Sequence, residues 1–176
     1  MNLEIIKNRI LLFSKERNIQ LEVDYILANR ERLNDLIALL KTELNYPYPE
    51  YASWLLCYLV KADIDLVDNY KSELIELLFS SKNNSLLRNV MNVLNVLPFN
   101  ESENSELLNL CLSFIEDSYC KVALQVYAIY YILNFVKVYP GLKGEVIQLL
   151  EMNYANRSSA YKAAVKKIKV KVDKIN

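Results

Sequence analysis

The sequence predicts an all-α fold, a right-handed α-solenoid built as a stack of antiparallel helix pairs. Three observations carry this. The chain of 176 residues holds only two glycines and four prolines, too few for the frequent turns of an all-β protein. Its apolar residues recur at helical spacing over long runs. A short amphipathic pattern also returns four times along the chain. With 53 % apolar and 24 % charged residues the composition is globular, and the length suits one core. We therefore expect one helical-repeat domain over 1–176, with N-terminal helices in 1–46, helix-pair repeats in 47–156 and a basic capping helix in 157–176.

The elements can be justified in order. Leu3, Ile6, Ile10 and Phe13 mark a first helix to about Lys15. A second helical region follows from about Glu22 to Leu44, with a break expected near Asn29. Tyr46-Pro47-Tyr48-Pro49 is a rigid turn, and Pro49 suits a first helical position because its missing N–H has no partner there anyway. The next helix, 50–62, carries Tyr51, Leu55, Tyr58 and Ala62 on one stripe, with Trp54 and Leu59 alongside. Asp63-Ile64-Asp65 ends it, and Asp65 is expected to cap a helix running to about Phe79. Leu86, Leu87, Val90, Met91, Leu94 and Leu97 define a helix stopped by Pro98. Asn100 with Glu103 resembles a capping pair for a helix ending near Glu116.

Residues 119–139 form the longest apolar element. Val122, Val126, Ile129, Leu133 and Val136 make one stripe. Leu124, Tyr127, Ala128, Tyr131, Phe135 and Val138 make another. A helix with two apolar stripes must be covered from two sides. After Pro140-Gly141 a helix spans about Leu142 to Tyr154, and Ser158 or Ser159 caps a last one running toward Lys174.

The repeat is acid, two apolar, one polar or small, two apolar. It reads Asp35-Leu36-Ile37-Ala38-Leu39-Leu40, Glu73-Leu74-Ile75-Glu76-Leu77-Leu78, Glu106-Leu107-Leu108-Asn109-Leu110-Cys111 and Glu145-Val146-Ile147-Gln148-Leu149-Leu150, at spacings of 38, 33 and 39 residues. Each copy precedes a second apolar helix. Such periodicity marks units that bury their open faces on one another. Paired helices of this kind resemble HEAT-type repeats over about residues 22–174, an ARM/HEAT-like stack. The chain departs from that pattern in lacking a proline inside most first helices and a visible Asp/Arg ladder. The resemblance implies a binding scaffold. A smaller related group, the HEAT-like alkylpurine DNA glycosylases, binds DNA along a basic face.

Chemistry is sparsely signalled. The chain has no histidine, which removes Ser-His-Asp and Cys-His pairs, His metal ligands and the commonest general base. Gly141 and Gly144 do not make a phosphate loop. Cys57, Cys111 and Cys120 are too few and too scattered for a zinc site or a disulfide framework; free thiols in a reducing compartment are expected, and with them a cytoplasmic protein. The N-terminus shows no signal-peptide core, and the best membrane candidate, 122–136, is short and contains Gln125. No cofactor and no catalytic residue are expected. Asp63, Asp65 and Asp68 could suggest a carboxylate site, as could Glu101, Glu103 and Glu106, but helix capping and dipole pairing explain both groups. Trp54 and the tyrosines Tyr46, Tyr48 and Tyr51 pose a choice between core and exposed anchor, with core favoured for Trp54. For Tyr127, Tyr130 and Tyr131 packing is the default.

Net charge is zero, yet from Arg157 onward seven basic residues face one acid, Asp173, so the remainder carries −6. On a helix, Lys162, Lys166 and Lys169 line one flank of an apolar stripe, and Lys167, Lys171 and Lys174 line the other. A polar end cap is the favoured reading; an acidic partner, a nucleic acid or an anionic membrane surface are the alternatives. Arg88, Asn92 and Asn95 share a polar stripe beside Asn89. Candidate partner-binding residues are therefore Arg88, Asn92, Asn95, Lys162, Lys166 and Lys169, the expected partner another protein, and nucleic acid the less favoured one.

Overall fold

The computed structural model describes residues 3–42, 45–100, 105–152 and 154–175. Among them the regular elements are all helical. They gather into two compact units, residues 1–98 and 99–176.

The first unit holds α1 (Leu3–Glu16), α2 (Ile19–Ala28), α3 (Arg32–Leu40), α4 (Tyr48–Ala62), the short α5 (Ile64–Asp68), α6 (Lys71–Ser80) and α7 (Asn84–Leu94). Ile6, Ile10 and Phe13 bury the predicted face of α1, which packs on α2, α3 and α4. Arg17, at a φ of 56°, turns the chain out of α1. The break near Asn29 is real, because Asn29 ends α2. That helix begins earlier than its apolar pattern suggested, since Asn18 Oδ1 accepts the Leu21 N–H and so supplies a cap before Ile19. Two local expectations are corrected. Tyr48 opens α4, so Pro49 sits one place inside rather than at its first position. Asp63, not Asp65, is the cap: its Oδ1 accepts the Leu66 N–H at 2.9 Å, and α5 starts at Ile64. The other Asp63 oxygen pairs with Arg30. Asp63 is thus occupied by structural bonds.

The second unit holds α8 (Ser105–Glu116), α9 (Val122–Val138), a 3-10 turn (Pro140–Leu142), α10 (Lys143–Glu151), a second 3-10 turn (Tyr154–Asn156) and α11 (Ser159–Val172). α9 is packed by α8 and by α11, which explains its two apolar stripes. Ala128, Ile129, Tyr131, Leu133, Phe135 and Val136 are all buried, while the N-terminal Val122 is exposed. Gln125, the polar residue in the run, is buried and donates to the Asp117 carbonyl at 2.7 Å. Ser158 caps α11 by accepting the Tyr161 N–H. Glu101 and Glu103, and with them the Asn100–Glu103 capping pair, lie outside the described residues, as does Leu44.

All four copies of the repeat fall on helices, α3, α6, α8 and α10, and each packs against the helix that follows it, α4, α7, α9 and α11. The common feature is narrower than six residues. Its second position (Leu36, Leu74, Leu107, Val146) and its sixth (Leu40, Leu78, Cys111, Leu150) are buried in every copy. Those two positions are one helical turn apart on one face. The fourth position is exposed in α6, α8 and α10, so it keeps its polar character there.

Candidate functional site

Within the first unit α4 lies along α7 in a long seam. The seam is partly polar. Ser53 is fully buried, and Asn89, 5 % exposed, donates from Nδ2 to Ser53 Oγ at 3.0 Å. Arg88 Nε donates to Asn89 Oδ1 at 3.3 Å. Cys57 Sγ lies 3.5 Å from both the Ser53 and the Asn89 carbonyls. Burial pushes the Cys57 thiol above its ordinary range, against smaller opposing effects from an Asn92 hydrogen bond and the charges of Lys61 and Arg88. Arg88 is exposed, and Asn92 and Asn95 are half-buried. Asn95 Nδ2 donates to the Met91 carbonyl at 2.8 Å and helps close α7.

Beside this stripe α4 presents Tyr58, 37 % exposed, with the Lys61 ammonium 5.5 Å from its ring centre. Trp54 is half-buried. It stacks on Phe13 at 5.2 Å and meets Tyr51 and Tyr58 edge-on. Of the proline-turn tyrosines, Tyr46 is exposed, Tyr48 half-buried and Tyr51 buried. A separate open groove of about 640 Å³ in this unit runs from Leu40 and Lys41 to Asn83 and Leu86, crossed by the Lys41–Glu76 ion pair at 3.1 Å.

In the second unit α11 packs on α9 through Tyr161, Ala164, Val165, Ile168 and Val172, all buried. Arg157 helps fix it: Nη2 donates to the Ile115 carbonyl at 3.0 Å, and the guanidinium lies over the Tyr161 ring. The structure then separates the two lysine flanks. Lys162 Nζ donates to the Ala155 carbonyl at 2.7 Å. Lys169 pairs with Glu151. Lys166 shares a shallow depression with Glu151, Tyr154, Val165 and Lys169. That flank faces α10 and the turn after it. On the other flank Lys167 stands 5.3 Å from the centre of the Tyr130 ring, on the open face of α9. Lys171, one turn on, is exposed, as is Lys174 in the turn past the end of α11.

Charge follows helix identity. The second helices of the pairs carry eight cations (Lys61, Arg88, Lys137 and five lysines of α11) and one carboxylate, Glu50. The first helices, α3, α6, α8 and α10, carry seven carboxylates and three cations. This segregation was present in the sequence but needed the pairing to be seen. A model of the HEAT repeat domain family matches residues 6–174. The chain belongs to the HEAT repeat family. The match includes α1 and so reaches further toward the N-terminus than the repeat pattern alone. No curated protein and no solved structure matches the chain. In HEAT repeat terms, α3/α4, α6/α7, α8/α9 and α10/α11 are the helix pairs. Among the described residues, no helix is long and apolar enough to cross a membrane.

Proposed function

We propose that the protein is a non-enzymatic scaffold or adaptor, and that it binds another protein through the exposed sides of the second helices within its units. The whole of 1–176 acts as one repeat domain in this reading, which the family match across both compact units supports. The observation that carries the proposal is the segregation of charge. Lys61 and Arg88 stand exposed on the second helices, with the half-buried Asn92 and Asn95 on the same helix as Arg88. The carboxylates stand on the first. A surface of one sign steers and selects an oppositely charged partner. Tyr58 adds the amphipathic aromatic contact that interfaces favour. The free cysteines suit a reducing, cytoplasmic setting.

The experiment is site-specific photo-crosslinking in the cells that make the protein. A photoreactive residue at Asn92 or Tyr58 should form adducts with another polypeptide. The same residue at Ser72 or Asn109, exposed on first helices, should not. Equal adducts at all four positions would sink the proposal.

Nucleic-acid binding is the second reading, favoured only by the lysines of α11. Its glycosylase form needs a carboxylate and a stacking ring beside those lysines. The carboxylates beside them, Glu151 and Asp173, are the ion-pair partner of Lys169 and the C-cap residue of α11, and one face of Trp54 is covered by Phe13.

A further inference from the structure

The open face of α9 and α11 has a composition that specifies its occupant more closely. We infer that it docks a carboxylate-rich peptide segment of a partner protein. This rests on the reading that second helices form the binding surface, and it names the partner's chemistry.

Lys167 and Lys171 are one turn apart on the same face of α11, about 6 Å along its axis, and Lys174 follows in the turn past the helix end at Val172. Lys137 near the end of α9 adds another exposed cation on that helix. Neither helix contains an acid, and the acid that follows, Asp173, is the C-cap residue of α11 beside Lys174. On the opposite flank Lys169 is already paired with Glu151, and Lys162 is bonded to a backbone carbonyl. The unneutralised charge of α11 is therefore concentrated on the α9 side. The Lys167 ammonium is held over the Tyr130 ring, and a cation fixed by a ring face loses less freedom when an anion arrives.

The cations of this face are all lysines, compact point charges that attract carboxylates and phosphates alike, so the rings decide between a peptide and a single-stranded nucleic acid. Tyr127 and Tyr130 are half-buried, and the face of Tyr130 is taken by Lys167, so neither offers the open ring on which a single-stranded base would stack.

The test is fluorescence polarisation on the full chain. The probes are a labelled Glu-Ser repeat peptide, its Gln-Ser counterpart, and single-stranded and duplex DNA of matched charge, at about 50 and 200 mM salt. The Glu-Ser peptide should bind, and the Gln-Ser peptide should not. Lys167→Gln/Lys171→Gln/Lys174→Gln should weaken the Glu-Ser peptide by about tenfold or more. The control Lys162→Gln/Lys166→Gln/Lys169→Gln should weaken it by less than about twofold. Circular dichroism melts establish that both variants fold. Equal loss in the two variants, no binding at low salt, or tighter binding of DNA than of the matched peptide would each overturn the inference. If the peptide fails while a photoreactive Asn92 still captures a protein, this inference falls and the wider reading survives.

Discussion

Phe135 offers the sharpest test of the second unit's packing. It is 1 % exposed on α9, with its ring edge-on to Phe99 at 4.9 Å and to Tyr131 at 6.0 Å. Phe135→Ala removes a fully buried ring and leaves a cavity, which costs about 3–5 kcal/mol. Phe135→Leu keeps most of the apolar volume and gives up the ring–ring contacts, about 0.5–1.5 kcal/mol. Against a total stability of about 5–15 kcal/mol the alanine variant is near the edge of folding. At about 2–4 °C per kcal/mol, its melting temperature should drop by about 6–20 °C. Tyr119→Ala is the control: that side chain is 94 % exposed, and its loss should change stability by less than about 0.5 kcal/mol. Differential scanning calorimetry and urea denaturation followed by circular dichroism measure all three. An alanine variant within about 1 kcal/mol of the parent would refute the claim that α9 is covered from two sides.

Three further outcomes are expected. Asn89→Ala loses the bonds to Ser53 and from Arg88 in the α4–α7 seam, and should cost about 1–3 kcal/mol in urea denaturation; a neutral result would mean the seam's polar groups do not matter to stability. Burial raises the Glu22 carboxyl above its ordinary value despite the Arg9 ion pair at 2.7 Å. Its native pKa therefore exceeds the unfolded one, and its contribution is full below about pH 4.5 and lost as pH rises through the native value. The stability of the parent relative to Glu22→Gln should accordingly fall as pH is raised from 4 to 7, and a rise would contradict the sign. Burial, with the Asp117 charge adding to it, pushes the Cys120 thiol up to about 11. Because the thiolate is the nucleophile, peptide-level alkylation of Cys120 should keep accelerating up to that pH, and a plateau by pH 9 would refute it.

Much of the architecture was legible in the sequence because helix pairing is written in periodicity. The two stripes of residues 119–139 predicted a helix packed on two sides, and α8 and α11 supply the cover. The four copies of the repeat located the first helix of each pair. Local capping was less readable. Asp63 and Asp65 are both good caps two residues apart, and only the direction of the chain after Ala62 selects Asp63. The candidate surface was legible in composition but not in detail. The two lysine flanks of α11 are equivalent on a helical wheel. Glu151 and the Ala155 carbonyl distinguish them, and both belong to a preceding segment. Asn89 and Asn92 likewise look alike in a polar stripe, yet one lies inside the seam and the other at its rim. Contacts between elements decide such choices, and amphipathic spacing alone does not encode them.

The central claim is that, in each unit, a partner occupies the exposed sides of the second helices. Lysine footprinting tests it most directly, by comparing acylation rates of each lysine in the purified protein and inside the cells that make it. The account predicts that Lys61, Lys167, Lys171 and Lys174 become protected in cells, while Lys41 and Lys143, on the first-helix side, react equally in both settings. Protection confined to Lys41 and Lys143, or no difference at any of the six, would contradict it.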